Sequence, residues 1–158
     1  MKILIMISSL AVGGAENMVY ELIKKIDRHG NEVELLCIQS QYGNELEKKI
    51  ESITKVHYLK IDDGFSFKNI QKVLKKLKTI KPDIIHAHLG SVGYAFLWTL
   101  FYKTPLVVTV HTRPDRAFAS RINYLLKSSL LKKRIKLVAV SEENMKLLKH
   151  YYANRADM

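Results

Sequence analysis

Apolar residues fall along this chain in two alternating rhythms. Short runs rich in aliphatic and β-branched residues recur at 2–8, 32–38, 55–60, 83–88, 106–110 and 136–140, and each has the length of a buried strand. Between these runs the apolar positions switch to helical spacing. Over 15–28 they fall at Met18, Val19, Leu22, Ile23 and Ile26, and Gly30 follows as a C-terminal stop. The same spacing predicts helices over 44–51, 67–80, 91–102, 117–131 and 142–150. Pro82 closes the third of the series and Thr104-Pro105 the fourth, because a residue before proline is driven out of the helical region.

Strict alternation of strand and helix, with strands that are apolar throughout, implies a parallel sheet covered on both faces. The expected architecture is one doubly wound, Rossmann-like α/β domain of three layers spanning 1–158, with six mostly parallel strands in the order 3-2-1-4-5-6. No repeat, low-complexity segment or linker interrupts it. A length of 158 residues with 47% apolar content is enough for a core. No uninterrupted apolar stretch reaches the roughly 18 residues of a membrane span, and Lys2 with residues 3–7 is too short for a secretion signal. A cytoplasmic protein is expected. The single Cys37, inside an apolar strand, reads as a small hydrophobe and implies no redox chemistry.

Charge adds a second layer to this picture. The formal net charge is +11, and two segments carry it: 68–81 and 121–136 each hold six basic residues and no acid. In the first, Ile70, Val73, Leu74, Leu77 and Ile80 keep helical spacing, so the lysines form the outer face of an amphipathic helix. A solvated face is one reading, and an anionic membrane surface is the partner such a face attracts. Nucleic acid is not expected, since no zinc-finger spacing, RNP-type aromatic motif or helix-turn-helix accompanies the charge.

A doubly wound sheet binds ligands beyond the carboxyl ends of its strands, where the strand order reverses. Strand one ends at Ser8-Ser9 and leads to Gly13-Gly14 at the start of a helix. Glycines there let a ligand approach the main chain, and the helix N-terminus attracts an anion such as a phosphate; closing a tight turn is the plainer use of the same residues. Strand four ends in His86-Ala87-His88-Leu89-Gly90 and strand five in His111-Thr112-Arg113, so three of the six histidines lie at this edge.

His86 and His88 point to one side if the strand continues through both, which is a metal-ligand spacing. No carboxylate or cysteine accompanies them at ligand spacing, so no metal is expected. His86 reads as a core residue or one that supports the site from behind, whereas His88, beside Leu89 and Gly90 in the loop, is placed to face a ligand. His111 is the candidate for chemistry, because imidazole can orient or deprotonate a hydroxyl near neutral pH; capping the strand end is the alternative. Thr112, Arg113 and Arg116 are placed to meet a hydroxylated or anionic ligand. Glu16 suits the dipole of the first helical turn, and Ser141 caps the last helix.

Four motifs, Gly13-Gly14-Ala15-Glu16, Pro82-Asp83-Ile84-Ile85-His86-Ala87-His88, Val107-Val108-Thr109-Val110-His111-Thr112 and Leu137-Val138-Ala139-Val140-Ser141-Glu142, stand in order at the ends of strands one, four, five and six. Together they resemble the amino-terminal half of a group 1, family four retaining glycosyltransferase of GT-B architecture. The resemblance implies a domain that binds mainly the acceptor, a glycan, glycolipid or lipid-linked precursor. It implies a glycine loop near the diphosphate of a nucleotide-sugar donor (Gly13, Gly14) and a catalytic His111. His88, Thr112 and Arg113 follow as acceptor-side residues, and no cofactor is implied. The family's second domain, with its diphosphate- and nucleotide-holding residues, is not in this sequence, so little or no transferase activity is expected of these residues alone. Two other classes stay open: a binding module docked on an anionic membrane or partner, with peripheral attachment to the inner face of the cell membrane, and a sugar-nucleotide epimerase half. A dinucleotide enzyme fits worst, lacking a third glycine and an acidic residue after strand two.

Overall fold

The computed structural model describes residues 1–27, 30–62, 64, 66–112, 134–152 and 156–157. The expected helix over 117–131, Arg113 and Arg116 lie outside the described residues. The elements alternate as β1 (Lys2–Ile7), α1 (Gly14–Asp27), β2 (Glu32–Cys37), α2 (Glu45–Glu51), β3 (Lys55–Tyr58), α3 (Phe67–Ile80), β4 (Ile84–His88), a 3-10 turn (Leu89–Ser91), α4 (Val92–Tyr102), β5 (Leu106–Val110), β6 (Ile135–Ala139), α5 (Glu142–Tyr152) and β7 (Ala156–Asp157). All strand pairs are parallel, and the six expected strands lie in the order 3-2-1-4-5-6. The two-residue β7 extends the sheet beyond β6.

The sheet separates two apolar clusters. On one face Ile5, Ile7, Leu35 and Cys37 meet Val19 and Ile23 of α1 and Leu46 and Ile50 of α2. On the other, Leu4, Met6, Ile85, Ala87, Val108 and Val110 meet Val73 and Leu77 of α3, Trp98 of α4 and Leu148 of α5. Strand β1 is buried from Leu4 to Ile7 because helices cover both its faces. Full burial of side chains such as Val19 and Ile23 stabilises the fold by about 1.5–3 kcal/mol each. Burial also pushes the Cys37 thiol up to about 12, which keeps it an unreactive hydrophobe.

Two helix ends use an unusual stop. Lys81 and Lys103 are left-handed C-caps with φ of 52° and 57°. The Pro82 that follows Lys81 bars it from continuing the helix, so its backbone turns left-handed without the glycine normally found there. The loop before α2 is built differently. Buried Glu47 accepts the backbone N–H groups of Tyr42, Gly43 and Asn44. Asn44 caps α2 by accepting from Glu47 N at 3.0 Å.

Candidate functional site

The carboxyl edge of the sheet gathers the ends of β1, β4 and β5. Residues paired in register in a parallel sheet share a face, and successive residues alternate. Ile5, which pairs with His86, belongs to the cluster under α1, whereas Ile85 and Ala87 belong to the opposite cluster. His86 and His88 therefore project on the α1 side. Thr109, in register with His88, projects there too, and His111 follows two residues further on.

The four side chains form two cross-strand steps. His86 Nε2 lies 2.7 Å from Thr109 Oγ1, and His88 Nδ1 lies 3.0 Å from His111 Nε2. The His86 and His88 rings are 4.3 Å apart between centroids. His88 is fully buried, and its Nε2 has no hydrogen-bond partner among the described residues. Burial, with the neighbouring imidazoles adding to it, pushes His88 down to about 2 and His86 to about 4. Burial also lowers His111, so all three rings are neutral near pH 7.

His88 ends the strand expected over 83–88, but it is buried and does not face the open edge. It is the last residue of β4, because its pairing with Thr109 carries the strand through it, and it meets the exposed edge only through His111. The chain then turns through Leu89, whose φ of 54° is left-handed. Such a conformation costs a bulky residue about 1–2 kcal/mol. His86, expected as a core or supporting residue, is partly buried and bonded within the sheet to Thr109. Half-buried His111 and exposed Thr112 line the edge itself.

The glycine loop lies where α1 begins, on the same side of the sheet. Gly14 is the first residue of α1 and is exposed. Gly13 O accepts from both the backbone N (3.2 Å) and the side-chain Nδ2 (2.8 Å) of Asn17. Buried Glu16 folds its carboxylate against Gly13.

Three supporting residues carried no legible signal in the sequence. Asn44 Nδ2 donates to Leu10 O at 2.7 Å, tying the loop after β1 to α2. Ser91 Oγ, fully buried, lies 2.9 Å from Met6 O and 2.8 Å from His88 O, joining the ends of β1 and β4. Tyr94 OH donates to Gly64 O at 3.2 Å beside a cleft of about 160 Å³ lined by Ser8, Gln39, Ile61, Gly90 and Tyr94. Each pairs residues distant in sequence, so no local pattern announces it.

The model described as Glycosyltransferase Family 4 matches residues 12–157, a span that takes in the glycine loop, all three edge histidines and Ser141. The chain belongs to glycosyltransferase family 4. No curated protein sequence matches it. Among solved structures, this family 4 domain is similar to a glycosyltransferase from Rickettsia africae ESF-5, with a TM-score of 0.73 at 16% identity, covering 99% of this chain and 42% of that one. It is similar also to HepE of Anabaena in complex with UDP and glucose (TM-score 0.70, 19% identity, 99% and 43% covered). UDP-N-acetylglucosamine 2-epimerase from Rickettsia bellii shares the fold at a TM-score of 0.60 and 17% identity, covering 98% and 43%. The family 4 domain thus spans less than half the length of these structures.

Proposed function

We propose that residues 1–158 form the acceptor-side half of a GT-B glycosyltransferase, which moves a sugar from a nucleotide-sugar donor to a hydroxyl of a glycan, glycolipid or lipid-linked acceptor. Retention of configuration is what the resemblance implies. The observation that carries the reading is His111, half-buried at the carboxyl edge on the side of the sheet where the Gly13-Gly14 loop opens α1. An imidazole and a helix N-terminus at one edge suit a hydroxyl and a diphosphate. HepE holds UDP and glucose on the same fold, which supports a nucleotide-sugar donor. The cleft lined by Ser8, Gln39 and Tyr94 is the space for an acceptor. The family match favours transfer over the epimerase alternative.

Transfer needs both substrates aligned in a closed, dry cleft, and one wall cannot supply that alignment. Little turnover is therefore expected from these residues alone. Titrating the ¹⁵N-labelled chain with UDP-glucose is the test. Shifts at Gly13, Gly14 and His111 at millimolar ligand support the reading, and shifts confined to other faces overturn it.

A second surface supports attachment to an anionic bilayer. Helix α3 presents Lys68, Lys72, Lys75 and Lys78 to solvent, and beside it α4 ends in the exposed Phe101 and Tyr102. Lys78 lies over the Tyr102 ring at 5.8 Å, and a groove of about 240 Å³ runs between the helices along Gln71, Leu74, Lys75 and Lys78. Aromatic rings at headgroup depth flanked by lysines match an acidic leaflet in chemistry and charge. Among the described residues no helix is long and apolar enough to cross a membrane. Cosedimentation with phosphatidylglycerol vesicles that fades with salt and is absent with phosphatidylcholine supports docking. Lys75→Glu with Lys78→Glu should abolish it, and equal binding to both lipids counts against it.

A further inference from the structure

The His88–His111 pair has one hydrogen between two facing nitrogens, His88 Nδ1 and His111 Nε2, 3.0 Å apart. With both rings neutral, only two arrangements make that bond. In one, His111 Nε2–H donates to His88 Nδ1, so His88 carries its own hydrogen on Nε2. In the other, His88 Nδ1–H donates, its Nε2 is a bare lone pair, and His111 carries its hydrogen on Nδ1.

The surroundings of His88 separate the two. Its Nε2 is buried and has no partner among the described residues. The neighbouring His86 ring, 4.3 Å away between centroids, has its Nε2 engaged with Thr109 Oγ1 at 2.7 Å. On the backbone, an orphaned buried N–H is rarer than an under-satisfied acceptor, and we extend the same preference to the ring nitrogen. The first arrangement creates that defect, and the second avoids it.

We propose that His88 is a positioning residue that fixes the tautomer of His111, so that the ring nitrogen His111 does not share with His88, Nδ1, is an N–H donor and not a lone pair. The use of that donor in transfer rests on the reading of this edge as the transfer site; the tautomer does not. At the edge His111 then donates a hydrogen bond to a ligand oxygen, a sugar hydroxyl or phosphate. It takes no proton at that atom and does not act there as a general base. Of the two roles the sequence left open, orienting a hydroxyl survives and deprotonating it does not.

The test is ¹⁵N spectroscopy of the imidazoles in the ligand-free chain at pH 7.5, where each tautomer has its own pair of nitrogen shifts. A protonated Nδ1 on both His88 and His111 is expected. A protonated Nε2 on either ring overturns the proposal, whatever the chain binds. In His88→Phe, which removes the donor, His111 should move to the Nε2–H form or to a mixture; an unchanged Nδ1–H would show that His88 does not set it. If that variant fails to fold, the wild-type spectrum still decides the tautomer pair, and coupling across the His88 Nδ1–H to His111 Nε2 hydrogen bond tests whether His88 is the donor. A second arm adds UDP-glucose: a shifted His111 Nδ1–H signal supports the use of the donor. With the tautomer as expected and no such shift, it is the functional reading of the edge that fails.

Discussion

Gly13 and Glu16 occupy each other's space: a Cβ built on Gly13 falls 2.5 Å from Glu16 Oε2 and 3.3 Å from its carboxyl carbon. Gly14 has no described residue within 4 Å of the same position. The two adjacent glycines thus differ: packing against Glu16 favours glycine at 13, and no contact demands it at 14. Gly13→Ala must push a buried carboxylate from its place and should lower the melting temperature, at a cost of about 0.5–3 kcal/mol. Gly14→Ala, in the first helical turn and in open space, should stabilise by about 0.4–1 kcal/mol. Thermal unfolding checks both. If Gly14→Ala also weakens UDP-glucose binding while raising stability, ligand approach is the reason for glycine at 14.

The Glu16 carboxylate lies at the positive end of α1, where an incoming phosphate would also sit. Glu16→Gln preserves the shape and removes the charge. UDP should bind this variant about two- to fivefold more tightly, as expected for relieving a helix-terminus repulsion of about 0.3–1 kcal/mol. Calorimetric titration at low salt measures it, and weaker binding by the Gln variant would show that Glu16 assists the ligand.

Asn44 does two jobs with one amide: Oδ1 caps α2 and Nδ2 holds Leu10 O in the loop after β1. Asn44→Asp keeps the cap and sets a carboxylate oxygen against that carbonyl. Stability should fall by about 1–3 kcal/mol, with amide exchange accelerated at 8–13 while α2 stays protected. Equal acceleration in both segments would place the loss in the cap instead.

Acid should destabilise the fold before its carboxylates titrate. Burial holds His86 at about 4 and His88 at about 2, below the ordinary 6.5. Above pH 6.5 these groups are neutral both folded and unfolded and add no slope. As pH falls below 6.5 the unfolded chain takes up protons that the folded chain refuses, so stability drops by up to about 1.4 kcal/mol per pH unit for each histidine. The His86 contribution flattens only below about pH 4. Urea unfolding between pH 7 and 5 isolates this effect, since Glu34 and Asp62 are held below the ordinary carboxylate range. For Glu34 burial opposes this, but hydrogen bonds from His57 and Lys2 outweigh it; for Asp62 the bond from Ser40 dominates. A flat profile in that window would mean that the edge histidines are accessible to protons.

Much of this fold was legible because its signals are local. The period of the apolar residues separated strand from helix, proline and glycine marked the helix ends, and β-α alternation implied a parallel sheet in the observed order. The edge on which Gly13, His88 and His111 gather followed from that order alone. What the sequence could not determine was how side chains distant in the chain answer one another. Register placed His88 inside the sheet against His111 and left its Nε2 without a partner among the described residues; packing laid Glu16 over Gly13 and brought Asn44 to Leu10. Glu34 shows the same limit, a carboxylate in an apolar strand made tolerable by Lys2, His57 and Lys55 from the neighbouring strands. Periodicity encodes which face of an element turns inward, because that is fixed by backbone geometry over a few residues. Which atom meets which is decided only when the strands align, since the burial that makes each contact strong does not exist until the tertiary structure forms.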